Sequence, residues 1–254
     1  MQTHRLMYLF LTFFIVTATI ALATQKTKIK GVNQTAAMQP LLWTQKDEER
    51  KKNFPTADFV EAEPTEPTKR AALKEKQIRH NGLGLVSRNP DSDTSGAAFL
   101  PEGQFDFPAL PVAKSDAILL GEVVSAEAHV SEDKTSVFSE FDVRVERILK
   151  PFNSSLNGSF ITIERVGGYV KYPGGRKLLY QVGSAGMPRV GGRYVFFLNT
   201  ISKSPGYSIL TGYLLSHEGV SPLDSSVQFD AYTGYDEVKF LAAVNDALTS
   251  IQTP

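Results

Sequence analysis

The stretch SDAILLGEVVSAEAHVSEDKTSVFSEFDVRVERILK (Ser115–Lys150) predicts two long neighbouring strands joined by a polar turn. In period two, Ile118, Leu120, Val124, Ala126, Ala128 and Val130 share one face of the first strand. The opposite face is apolar through Ala117, Leu119, Gly121 and Val123, then polar at Ser125, Glu127 and His129. Its first half is therefore expected to be covered on both sides and its second half on one. The run from Ala117 to Val130 is far longer than the usual strand of about 5–6 residues, and Gly121 is a natural place for a bend. In the second strand Val137, Phe141, Val143 and Val145 point in, while Phe138, Glu140, Asp142, Arg144 and Glu146 point to solvent. Glu122 interrupts the apolar pattern and is expected to pair with an arginine. A long, bent hairpin favours a small barrel over a flat sheet.

Shorter strands follow. Ser159–Val166, Tyr169–Tyr172 and Lys177–Val182 are separated by Gly167-Gly168 and by Pro173-Gly174-Gly175. Gly183–Gly192 is a glycine-rich loop, and Arg193–Thr200 (RYVFFLNT) is so uniformly apolar that a fully buried strand is expected. Tyr207–Leu210, Tyr213–Val220 and Val227–Tyr232 supply further strands. Phe240, Val244, Leu248 and Ile251 then recur at helical spacing, with Asp236 or Thr233 available as the cap. That closing helix is expected to cover the outer face of Ala117–Val123.

The fold class is therefore mainly β: a small closed or partly open barrel over residues 112–254 with a C-terminal helix packed on it. The pieces SDAILLGEVVSAEA, FSEFDVRVERILK, ITIERVGG, VGSAGMPRVGGRYVFFL and DEVKFLAAVNDAL resemble those of a widespread, uncharacterised group of exported bacterial β-barrel proteins. The layout is similar to OB-type barrels, including the netrin-like modules of metalloproteinase inhibitors. Those inhibitor modules engage zinc through an amino-terminal cysteine. The present chain has no cysteine, so the resemblance implies an architecture and no chemistry.

What precedes the barrel is expected to be delivery apparatus. Residues 1–23 combine Arg5 with the uncharged run Leu6–Ala23, ending in the small-x-small triplet Ala21-Leu22-Ala23, and predict a signal peptide or a membrane anchor. The chain is thus expected to be exported, secreted or periplasmic, or held at the membrane through residues 6–23 if the leader is retained. Residues 24–111, rich in proline and mixed charge, predict a flexible linker, with one short helix at 68–80 and apolar islets at Gln39–Trp43 and Phe105–Leu110. An exported chain without cysteine has no disulfide framework and no thiolate, so its core alone must hold it.

No catalytic, cofactor or metal constellation is legible. The four histidines include two in the barrel: His129 on a polar strand face, expected at the surface, and His217, which lacks a second histidine at metal spacing. Ser184 lacks the preceding glycine of a nucleophile elbow. Charge distribution says more. Between Pro151 and Pro205 the basic residues Arg165, Lys171, Arg176, Lys177, Arg189, Arg193 and Lys203 face the single acid Glu164. Lys171, Arg176, Lys177 and Arg189, with Tyr169 and Tyr172, form a candidate ligand-binding set, because OB-type barrels take extended polymers on basic, aromatic faces. The expected role is a non-catalytic binding or interaction module. Its expected partner is an anionic glycan, a lipid head group or an acidic protein at the cell envelope, with nucleic acid disfavoured by export. The alternative is an envelope hydrolase using the strand-end carboxylates Glu122, Asp142 and Glu164. A further alternative is that the basic and acidic segments simply pair across strands.

Overall fold

The computed structural model describes residues 51–84, 107–151, 159–202, 204 and 206–252. The leader, residues 24–50 and 85–106 of the expected linker, and Lys203 lie outside the described residues. Among the described residues no helix is long and apolar enough to cross a membrane.

The opening hairpin forms as β2 (Ala117–Val130) and β3 (Val137–Lys150), antiparallel throughout. β4 (Phe160–Val166) pairs with β3, and β7 (Arg193–Thr200) pairs with the first half of β2. β8 (Tyr207–Ser216) follows β7, and β9 (Gly219–Pro222) completes the row β4-β3-β2-β7-β8-β9. β8 also meets β4 in parallel at Ile163–Tyr207 and Glu164–Ser208, so the pairings run in a ring. Inside it pack Ala117, Leu119, Val123, Phe141, Val143, Ile163, Phe196 and Leu198.

This interior corrects the phase expected for β2. The face turned inward at the start is Ala117, Leu119 and Val123, whereas Ile118 and Leu120 point outward into a second core with Phe240, Val244 and Leu248. A bulge explains the change. Val123 is opposite Val143 and Ser125 is opposite Asp142, so Val124 is left unpaired and the side-chain alternation flips. Ala126 joins the ring interior, Ala128 and Val130 enter a third core, and His129 turns to the opposite face. Two further irregularities fall between Ile118 and Leu119 and between Leu120 and Gly121. Even-numbered spacing thus grouped residues that the bulge sends to opposite faces.

The second core lies under the closing helix α2 (Glu237–Gln252). Asp236 caps it by accepting from the Lys239 backbone N–H at 2.8 Å. Phe240 and Val244 are fully buried against the outer face of β2, β7 and β8. Phe107 and Leu110 join this core, so the end of the Phe105–Leu110 islet docks. The strand expected at Val227–Tyr232 is instead a 3-10 helix. The edge at Val220 is taken by the residues after it: Val220 donates to the Tyr235 carbonyl and accepts from the Gly234 N–H.

Residues 51–84 overturn the expectation of a continuous flexible linker. β1 (Thr56–Asp58) lies parallel on β5 (Gly168–Lys171), which pairs with β6 (Lys177–Tyr180) in a three-stranded sheet. Phe54 and Ala57 are buried, in the ring interior and in a third core with Val130, Val137, Val170, Tyr172 and Tyr180. Helix α1 (Pro67–Arg79) follows, close to the expected 68–80. Mixed charge concealed this order, because the arm docks through ion pairs and two short apolar anchors instead of an apolar stripe.

Candidate functional site

The β5–β6 hairpin turns through Tyr172–Arg176, closed by Tyr172 N–H to Arg176 O at 2.9 Å and Gly175 N–H to Tyr172 O at 2.8 Å. Gly175 has φ 82, a left-handed conformation that glycine adopts without steric cost. The register sets Lys171 opposite Lys177. Directly opposed like charges weaken a strand pair, and here Arg176 adds a third cation beside them. All three are exposed. Asp58, next to Lys171 across the β1–β5 ladder, approaches its Nζ only to 3.9 Å, with both side chains largely in solvent. Such a pair contributes little. Lys177 Nζ sits 4.1 Å from the centre of the Tyr169 ring.

The two tyrosines separate. Tyr169 is half-buried and meets Phe54 edge-on at 6.3 Å. Tyr172 is buried: its ring stacks on Phe59 at 4.9 Å, and its hydroxyl meets that of Tyr180 at 2.7 Å. Burial and that neighbour push its ionisation upward. Tyr172 therefore supports the hairpin from beneath. Arg189 is exposed on the loop before β7, where its backbone N–H donates to the Tyr194 hydroxyl at 3.0 Å. That loop is fastened to Val123 of β2, away from the hairpin turn in the chain and in its pairings.

Two other basic residues of the Pro151–Pro205 segment pair with acids. Arg165 is buried inside the ring, donating to both carboxylate oxygens of Asp224 at 2.6 and 3.0 Å and to the carbonyls of Gly186 and Leu210. Arg193 makes a two-pronged contact with Glu237 of α2 at 2.6 and 2.9 Å and a third with Glu146 at 2.7 Å. For these two, pairing with acids across elements accounts for the charge. Lys171, Arg176 and Lys177 lie together at the hairpin end.

A second polar site was missed by sequence reasoning. His129, expected at the surface, is buried, and its Nδ1 lies 2.6 Å from Glu61 Oε1. Its Nε2 lies 3.6 Å from Glu140 and 3.9 Å from Glu127. Burial lowers the imidazole's affinity for a proton, but Glu61, Glu140 and Glu127 outweigh it and hold His129 above the ordinary value. Phe138, expected to face solvent, is fully buried because His80 stacks on it at 4.2 Å and His129 touches it at 5.4 Å. His80 Nε2 is 3.2 Å from Glu164, which also accepts from Arg79 at 2.5 Å. Burial raises the Glu164 carboxyl, yet His80 and Arg79 hold it below the usual carboxylate range. The only signal in the sequence was the outward phase of Phe138, an aromatic ring on a face otherwise charged.

Beside α1 lies a groove of about 220 Å³ lined by Lys76, Ser125, Glu127, Glu140, Asp142 and Thr162. The carboxylates considered for hydrolysis are each engaged: Glu122 with Arg144, Asp142 with the hydroxyls of Ser125 and Thr162 at 2.7 Å each, and Glu164 as above. Ser125 is four strand residues from His129, roughly 13 Å at the usual rise, too far for a nucleophile and its base. His217 is exposed in the β8–β9 turn. Among the described residues no group of three or more His, Cys, Asp or Glu is placed to hold a metal ion. Compared with known proteins, the chain matches no family model and no curated protein.

Proposed function

We propose that this chain is an exported, non-catalytic binding module. Its β5–β6 hairpin engages an anionic partner at the cell envelope, an anionic glycan, a lipid head group or an acidic protein surface. The observation that carries this is the juxtaposition of Lys171 and Lys177 across one rung, with Arg176 in the turn. A hairpin selected only for stability would not oppose like charges. The group is carried on a rigid base, because Phe54, Phe59, Tyr172 and Tyr180 pack beneath it. The ring of pairings with its covering helix supports the small OB-type barrel implied by the resemblance, in which a short hairpin beside the ring carries the binding surface. The leader at residues 1–23 supports export, or anchoring at the membrane if it is retained. No observation favours the hydrolase alternative, since Glu122, Asp142 and Glu164 each have partners of their own.

The test is retention on heparin-type and anionic-lipid supports. The triple variant Lys171→Ser, Arg176→Ser, Lys177→Ser should lose retention that the unmodified protein shows at low salt. Its melting temperature should hold, because exposed substitutions cost within about 0.5 kcal/mol. Binding should weaken as salt rises, since exposed charges are screened beyond about 8–10 Å at physiological ionic strength. Equal retention of both proteins would overturn the proposal and leave these cations as ordinary surface residues.

A further inference from the structure

The arm from Glu61 to His80 is held in an unusual way. α1 has no buried residue along its 13 positions. Its ends are tied by other means: Phe54 and Ala57 in the cores before it, and after it the Gly82 N–H donating to Asp133 at 2.8 Å and Asn81 accepting from the Asp133 N–H at 3.1 Å. Between those anchors the contacts are ionic and polar, apart from the His80 ring stacked on Phe138. Lys76 meets Glu140 at 2.6 Å, Lys74 meets Glu132 at 3.4 Å, and Arg79 and His80 converge on Glu164. Gln77 donates to Glu61 at 3.2 Å, which places Glu61 against His129.

We infer that residues 61–80 form a proton-held strap over the outer face of β2, β3 and β4, fastened while His129 is an imidazolium and loosened when it is neutral. The groups facing His129 come from three elements. Glu61 approaches from the arm, Glu127 from β2 and Glu140 from β3, with Lys76 of α1 on the far side of Glu140. A charged His129 sits among three carboxylates and one ammonium. A neutral His129 leaves Glu61 and Glu140, both mostly buried, without a cation between them. Lys76–Glu140 and Arg79–Glu164 persist, so the strap opens locally and does not detach. Opening at Glu61 exposes His129 and the Glu140 carboxylate beside it.

The sign follows from the two shifted groups. His129 is held above its ordinary value in the folded chain, with Glu61 of the arm the first of the groups that raise it, so the stability it contributes is complete below its unfolded value and is lost as pH rises through its folded value. Glu164 is lowered, so its contribution is present above its unfolded value and is lost as pH falls through its docked value. The strap is therefore tightest at mildly acidic pH and loosens on both sides. As pH rises through the docked value of His129, the docking equilibrium falls by up to about tenfold for each pH unit by which docking raises that value.

Hydrogen exchange of the α1 amides in the full chain, corrected for the intrinsic pH dependence of exchange, reads this directly. Protection of Lys69–Arg79 should drop between about pH 5.5 and about pH 8.5, while the amides of β7 keep theirs. His129→Gln keeps a donor toward Glu61 but cannot charge. It should hold α1 at the lower protection of the alkaline wild type at both pH values. Should that variant fail to fold, Glu61→Gln serves instead, and protection should then be lost at a lower pH than in the wild type. Protection of α1 that is unchanged with pH in the wild type would refute the strap. So would an unaltered pH dependence in His129→Gln, or in Glu61→Gln where that variant is the one that folds.

Discussion

Asp224→Asn probes the charge pair inside the ring. The Asp224 carboxylate is fully buried and accepts three hydrogen bonds: two from the Arg165 guanidinium, at 2.6 and 3.0 Å, and one from the Gly186 backbone N–H at 2.9 Å. Asparagine preserves the shape but turns an NH2 toward one guanidinium nitrogen and removes the charge. Arg165 is itself buried, so the substitution leaves a cation without a counter-charge. Removing one partner of such a pair costs about 3–5 kcal/mol. For a domain of this size, about 2–4 °C of melting temperature follows each kcal/mol, giving a drop of roughly 6–20 °C. Calorimetric melts of wild type, Asp224→Asn and the double variant Arg165→Met, Asp224→Asn decide the matter. The double variant should recover a large part of the loss, because the orphaned charge is gone. A melt of Asp224→Asn within about 2 °C of wild type would show that the pair does not organise the loop at Gly186.

Two further substitutions test the packing. Val244→Asp places a charge in the fully buried stripe of α2, and an unpaired buried charge costs several kcal/mol, so thermal melts should show a domain close to its stability limit; an unchanged melt would mean that α2 does not cover Ile118 and Leu120. Gly186→Ala would set a Cβ 2.0 Å from the Leu223 carbonyl oxygen, a backbone atom that cannot yield cheaply, and denaturant titration should find it destabilised by at least about 1–3 kcal/mol.

The elements that sequence spacing resolved are those whose burial repeats regularly. β2, β3 and β7 stand where alternation and the apolar run RYVFFLNT set them, and α2 stands on its Phe240, Val244 and Leu248 spacing. What spacing could not show is long-range. The bulge at Val124 reverses the β2 faces, and nothing local distinguishes that valine from its neighbours. The 3-10 helix at Val227–Tyr232 follows from an edge already occupied by Gly234 and Tyr235. The arm was hidden for a related reason. Its order comes from Glu61, Lys76, Arg79 and His80 meeting partners 64 or more positions away in the chain. Of the candidate binding set, Lys171, Arg176 and Lys177 gather at one hairpin end, Tyr169 supports Lys177, Tyr172 is buried beneath the same turn, and Arg189 falls elsewhere.

Lysine acetylation with and without a heparin-type polyanion, read residue by residue at low salt, bears most directly on the binding role. Lys171 and Lys177 should be protected when the polyanion is bound, while Lys69 on α1 and Lys239 on α2 keep their free reactivity. Added salt should restore labelling of Lys171 and Lys177 in step with release of the ligand. Bound polyanion that leaves Lys171 and Lys177 as reactive as in the free protein would contradict the assignment of the hairpin as the binding surface.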